Sequence, residues 1–148
     1  MNGKEKRSWV DGEIIMAQGY DNPICGYNTF NSINLRLWKS LPLNEFDFSS
    51  FNSGDYFKAI EERQRAEYVT SVLYPNDSSM NGKELRLKQQ YFFVCATLQD
   101  VLRRFKKLGN KDWKDLPKRM SIQLNDTHPA LAIVELLRIL IDIEDLEP

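Results

Sequence analysis

Apolar and polar positions alternate most cleanly in INLRLW, where Ile33, Leu35 and Leu37 fall on one face and Asn34, Arg36 and Trp38 on the other. A period of two predicts a half-buried strand, with the aliphatic face inward and Arg36 on the non-core face. A looser alternation in WVDGEIIMA, Trp9 to Ala17, predicts an earlier strand. Between them GYDNPICGYNTFNS, rich in Gly, Asn and Pro, predicts an irregular connection. LPLNEFDFSSFNSGD predicts another, pinned by its three phenylalanines.

The period then lengthens. Tyr56 to Leu73 lacks Pro and Gly and is rich in helix formers, with Asp55 placed to cap it. Its apolar stripe through Ile60, Ala66, Val69 and Val72 is thin, and EERQRAE is charged nearly all round. Such a helix is either solvated or packed on a partner through a polar seam. A stronger helix is predicted from Glu84 to about Lys107, on Leu87, Tyr91, Val94, Cys95, Leu98, Val101, Leu102 and Phe105. After a basic, turn-rich connection come a short strand, MSIQL, and a last amphipathic helix, ALAIVELLRILIDIEDL, with Glu135 and Arg138 on its polar side. Strands alternating with helices predict part of an α/β architecture. The long irregular connections predict that it belongs to something larger.

Composition narrows the chemistry. The 148 residues carry a net charge of −1, so nothing in the charge favours nucleic acid or a membrane surface. Cys25 and Cys95 stand far apart, which fits reduced thiols; with one histidine and no CxxC pair, no metal site is expected. The charged start has no apolar core of a signal peptide, and no apolar run is long enough to span a bilayer. A cytoplasmic protein with a disordered start over residues 1–8 is expected.

Three groupings have chemical potential. In LNDTHP an apolar run ends in Asn125, Asp126, Thr127 and His128 before Pro129 opens a helix. Strand ends of this kind bind ligands in open α/β sheets, with His128 and Asp126 as the polar groups. On the residues alone the capping reading is preferred, in which Asn125, Asp126 or Thr127 caps the helix and does nothing more. YPNDSSMNGKE forms an exposed turn, followed by Lys83, Arg86 and Lys88 at the helix end where cations are disfavoured. Arg103 and Arg104 either complement a helix C-terminus or, with Arg36, clamp a phosphate. There is no P-loop, GxGxxG, GxSxG or HExxH.

Taken together, LRLW at 35–38, FNSGDY at 51–56, RAE at 65–67, VLYPND at 72–77, GKELRLKQQYF at 82–92, TLQDVLRRFKK at 97–107 and IQLNDTHPALA at 122–132 resemble the glycogen (α-1,4-glucan) phosphorylases. KQQYF and RRFKK look closest to fungal members. The resemblance implies part of the Rossmann-like N-terminal half of a two-domain GT-B glycosyltransferase fold, over residues 9–148. It also implies an enzyme that cleaves terminal α-1,4 links of glycogen with inorganic phosphate to glucose 1-phosphate, with pyridoxal phosphate as cofactor. The cofactor lysine and the C-terminal domain have no counterpart here, so the chain by itself is expected to be inactive and only marginally stable.

Residue by residue, the resemblance implies that Asp126 and His128 line the glucosyl pocket. It makes the segment 74–83 a gate loop, with Asn76, Asp77 and Ser78 in it and Asp77 the acidic residue that leaves the phosphate site on activation. Many family members have Asn and an aromatic where this chain has Ser78 and Ser79, so gate-to-glucose bonding and stacking are not carried over. Arg36, Arg103 and Arg104 match the basic residues of an allosteric site for a phosphorylated effector. Residues 56–73 resemble the tower helix that packs across a homodimer. The alternative is a non-catalytic module that binds a phosphate effector or dimerises.

Overall fold

The computed structural model describes residues 8–107, 109 and 112–147. Nearly all of the expected disordered start lies outside the described residues. The chain divides into two compact units, residues 13–89 and residues 1–12 with 90–148.

In the first unit β1 (Met16–Cys25) pairs antiparallel with β2 (Ser32–Leu41), from Met16 opposite Leu41 to Cys25 opposite Ser32. The first strand therefore begins where the expected one ends and runs through residues read as irregular. Pairing overrides composition here. With only two strands both are edges, so Pro23 lacks an amide without breaking an interior ladder. Gly19 lies opposite Trp38, and a side chain there would press to 3.1 Å from the indole and 3.3 Å from Arg36 Cδ.

The faces of β2 are reversed from expectation. Ile33, Leu35 and Leu37 are exposed, whereas Arg36 and Trp38 are half-buried and Ser40 is fully buried. The side chain on which the hairpin rests is polar: Ser40 Oγ meets Thr70 Oγ1 at 2.8 Å, and the Ser40 amide donates to the same hydroxyl at 3.2 Å. We predict that Thr70→Val costs about 1–3 kcal/mol, because it orphans a buried amide and hydroxyl; loss of exchange protection at the Ser40 amide measures it.

The supposed irregular stretch contains α1 (Phe48–Asn52), capped by Asp47, whose side chain accepts from the Ser49 and Ser50 amides. The Ser50 hydroxyl and both amides hold the Asp47 carboxyl below the usual carboxylate range. The tower-like segment is α2 (Tyr56–Ser71), capped by Asp55, which accepts from the Lys58 amide at 3.1 Å. It buries Ala59, Ala66 and Val69, while Val72 of the expected stripe lies beyond its end and is exposed.

The longest element, α3 (Met80–Lys107), starts a turn earlier than its apolar stripe, because Ser79 Oγ accepts from the Gly82 amide and opens it. Leu87 is exposed; Leu85, Gln89 and Phe92 are buried instead. In the second unit the core comprises Val94, Leu98, Leu102 and Phe105 of α3 with Leu116, Ala132 and Ile139. Trp113 opens a 3-10 turn (Trp113–Asp115), and Leu116 begins α4 (Leu116–Arg119). The expected strand MSIQL runs without a ladder, since no other strand of this unit is described to pair with it. The last helix, α5 (Leu131–Arg138), continues as a π turn (Ile139–Ile143).

Its polar side is also reversed. Glu135 is 3% exposed, while Ile133, Val134 and Leu137 face outward. No helix among the described residues is long and apolar enough to cross a membrane.

Candidate functional site

The LNDTHP turn carries the most telling geometry. Leu124 packs against the core of the second unit and anchors the incoming chain. Asp126 then takes the left-handed backbone conformation, φ 65, which Asp adopts more readily than most residues. Its Oδ1 accepts from the adjoining Thr127 amide at 2.7 Å, and Oδ2 lies 3.5 Å from His128 Nε2. The Ala130 amide turns back to the Thr127 carbonyl at 3.1 Å.

The capping alternative fails. The N-cap of α5 is Ala130, with no side-chain cap, so Asn125, Asp126 and Thr127 are not spent on the helix end. Asp126 remains 62% exposed and His128 34% exposed. Gln90, on α3, places its amide 3.4 Å from His128 Nδ1. The Asp126 carboxylate, which only accepts, faces Nε2, and the Gln90 amide nitrogen faces Nδ1. These two contacts are long for hydrogen bonds. A carboxylate and an imidazole held together near solvent suit sugar hydroxyls, which both donate and accept.

Beside this turn lies a network that the helical pattern disguised. Arg138 forks onto Glu135 with two bonds of 2.8 Å, while the Tyr91 hydroxyl and the Cys95 thiol each donate to it at 3.2 Å. Trp9 stacks on Tyr91 at 5.7 Å and lies under the Arg138 guanidinium at 5.5 Å. Burial alone would push the Glu135 carboxyl up, but Arg138, Cys95 and Tyr91 together hold it below the usual range. Burial and the neighbouring carboxylate push the Cys95 thiol and the Tyr91 phenol up, so both stay protonated. Its position in an aliphatic run hid this site; the i, i+3 spacing of Glu135 and Arg138 was the available signal.

The other candidate residues divide between the units. Asn76, Asp77 and Ser78 belong to the first, where Asn76 Oδ1 accepts from the Ser78 amide at 2.9 Å and hydroxyl at 2.7 Å. Asp77 pairs with Arg86 at 2.9 Å, and Lys88 pairs with Glu84 at 2.8 Å. Two of the three cations at the start of α3, Arg86 and Lys88, thus meet carboxylates of this chain. Arg36, also in the first unit, forks across the hairpin onto Asp21 at 2.7 and 2.5 Å and stacks on Trp38 at 5.7 Å. Arg103 and Arg104 lie in the second unit, and Asp100 one turn before them binds both, at 2.5 and 2.9 Å. Among the described residues no cluster of His, Cys, Asp and Glu is arranged to hold a metal ion.

Residues 1–148 match the family model for carbohydrate phosphorylase. The chain belongs to the carbohydrate phosphorylase family. It is 55% identical over 139 residues to glycogen phosphorylase of Saccharomyces cerevisiae, covering 94% of this chain and 15% of that protein. It is 54% identical over 143 residues to glycogen phosphorylase 2 of Dictyostelium discoideum, covering 97% and 14%. The human brain form of glycogen phosphorylase is 49% identical over 147 residues, covering 94% and 17%. The higher identity to the yeast than to the human relative agrees with the fungal character of KQQYF and RRFKK. This phosphorylase chain therefore spans about one-sixth of the length of the curated relatives it matches.

Proposed function

We propose that the chain forms part of an α-glucan phosphorylase, which transfers terminal α-1,4-linked glucosyl units of glycogen to inorganic phosphate and releases glucose 1-phosphate. The observation that carries the reading is the LNDTHP turn: Asp126 and His128 are held together, partly exposed, and unused by the helix they precede. Their role is to bind and orient the glucosyl ring, which lowers the barrier by fixing geometry.

The exposed apolar faces support a larger body around this segment. Ile24, Ile33, Leu35 and Leu37 on the hairpin and Ile133, Val134 and Leu137 on α5 all face outward, as buried faces do when the elements that cover them are missing. We infer that the segment belongs to a Rossmann-like half of a GT-B fold, in which MSIQL gains strand neighbours.

In the same reading Asn76, Asp77 and Ser78 form the gate. The Asp77 carboxylate opposes a second anion near it, so displacing the turn favours phosphate. Arg36 in the first unit, and Arg103 with Arg104 in the second, are the cations proposed for a phosphorylated effector, which competes with Asp21 for the one and with Asp100 for the others. The α2 segment, with Tyr56, Phe57 and Tyr68 exposed along a charged helix, packs on a second copy. A cytoplasmic location fits glycogen as substrate. Pyridoxal phosphate would supply phosphate-handling chemistry to the whole protein. Each described lysine of this chain is exposed and does not fit the desolvated amine that anchors such a cofactor, so the roles of these residues are confined to binding and orienting.

Calorimetric titration of the intact protein with glucose 1-phosphate tests the reading. Saturable binding that weakens in Asp126→Asn is expected; binding unaffected by that change would remove Asp126 from the pocket.

A further inference from the structure

The turn at residues 74–79 is fastened to α3 at several points, and one is unusual. Gly82 lies in the first turn of α3, where glycine disfavours a helix. A side chain there would overlap the Asn76 carbonyl oxygen, would stand 2.9 Å from the carbonyl carbon, and would crowd Ser79 Oγ at 3.3 Å. Backbone cannot yield as a flexible side-chain tip does, so this seat requires glycine. One turn further on, Arg86 Nη1 donates to Asp77 Oδ2 at 2.9 Å, and Gln89 Nε2 donates to the Val72 carbonyl where the chain leaves α2. Ser79 and Asn76 complete the turn with local bonds, and Tyr74 enters it at φ 53.

We propose that Gly82 and Arg86 are the positioning residues of the 74–79 turn: Gly82 provides the seat for the Asn76 carbonyl and Arg86 ties down Asp77, so that the turn has a seated and a released state. Arg86 acts through Asp77 and Gly82 through Asn76. The distribution of contacts favours a releasable latch. The seat is a single backbone contact, and the Asp77–Arg86 pair is accessible to water, with side chains 59% and 30% exposed. A competing anion can therefore draw Arg86 away, and the turn then loses its hold on Asp77. The consequence for phosphate rests on the reading that Asp77 opposes a second anion.

Limited proteolysis and phosphate kinetics of the intact protein test the two parts separately. Gly82→Ala should accelerate cleavage within 74–79 by about tenfold, as the population of the released turn rises. Arg86→Gln should accelerate it by about two- to fivefold, the range of an exposed ion pair, and Arg86→Lys should restore much of the protection. Both weakening variants should lower the KM for phosphate relative to kcat. Unchanged cleavage in both overturns the latch. Faster cleavage with an unchanged KM for phosphate upholds the latch and overturns the role given to Asp77. Should Gly82→Ala fail to fold, Arg86→Gln and Arg86→Lys decide by the same readouts.

Discussion

Replacing Glu135 by leucine should lower the opening free energy of α5 by about 3–5 kcal/mol, the usual cost of breaking a buried ion pair from one side. The change leaves the Arg138 guanidinium without its partner and takes the acceptor from the Tyr91 hydroxyl and the Cys95 thiol. Arg138 retains the Trp9 ring and some access to water, which places the cost toward the lower end of that range. Native-state hydrogen exchange of the α5 amides in the intact protein reads the effect locally. Glu135→Leu combined with Arg138→Met should recover most of the loss, since an apolar pair of similar volume removes both charges together. A loss below about 1 kcal/mol would reduce the network to a surface ion pair.

The same network sets a pH dependence. The Glu135 carboxyl is held below its ordinary value of 4.5 in the folded chain. As pH falls, the unfolded chain therefore takes up the proton first. The stabilisation is complete above about 4.5 and is lost as pH falls through the folded value. Glu135→Gln should flatten this part of the acid profile, and an unchanged slope would assign the acid sensitivity elsewhere.

Replacing His128 by asparagine should lower kcat/KM of the intact protein for glucan phosphorolysis by about 100-fold, the scale of a misplaced reacting group. The ring is 34% exposed, and the melting temperature, measured alongside, separates lost positioning from lost folding. Asp126→Asn should act in the same direction, because it removes the carboxylate that faces Nε2. The loss should appear in kcat as well as in KM if the ring orients the glucosyl unit at the transition state. A change under about threefold in either variant, against the 100-fold expected, would make the turn a structural corner.

Much of this organisation was legible from periodicity. The two long helices, β2 and the cap at Asp55 follow from local chemistry, and so does the exposed turn between α2 and α3. The faces were not. Ile33, Leu35 and Leu37 form a clean aliphatic row, yet they are exposed and Ser40 meets Thr70 instead, because burial depends on what packs on a face and not on its own pattern. For the same reason Glu135 reads as a surface residue: its partners Tyr91 and Cys95 come from 40 or more positions away. MSIQL has the composition of a strand and lacks a neighbour to pair with. Gly82 was visible only as a turn residue; its role depends on where the Asn76 carbonyl lands. His128 could be singled out as the lone histidine, but that the turn is not spent on capping α5 is visible only in the structure.

The most direct test of the central claim is phosphorus-31 NMR of the intact protein incubated with glycogen and inorganic phosphate. Glucose 1-phosphate should form at the expense of phosphate in the wild type and about 100-fold more slowly in His128→Asn. Release of free glucose without consumption of phosphate, or equal rates in the two proteins, would contradict it.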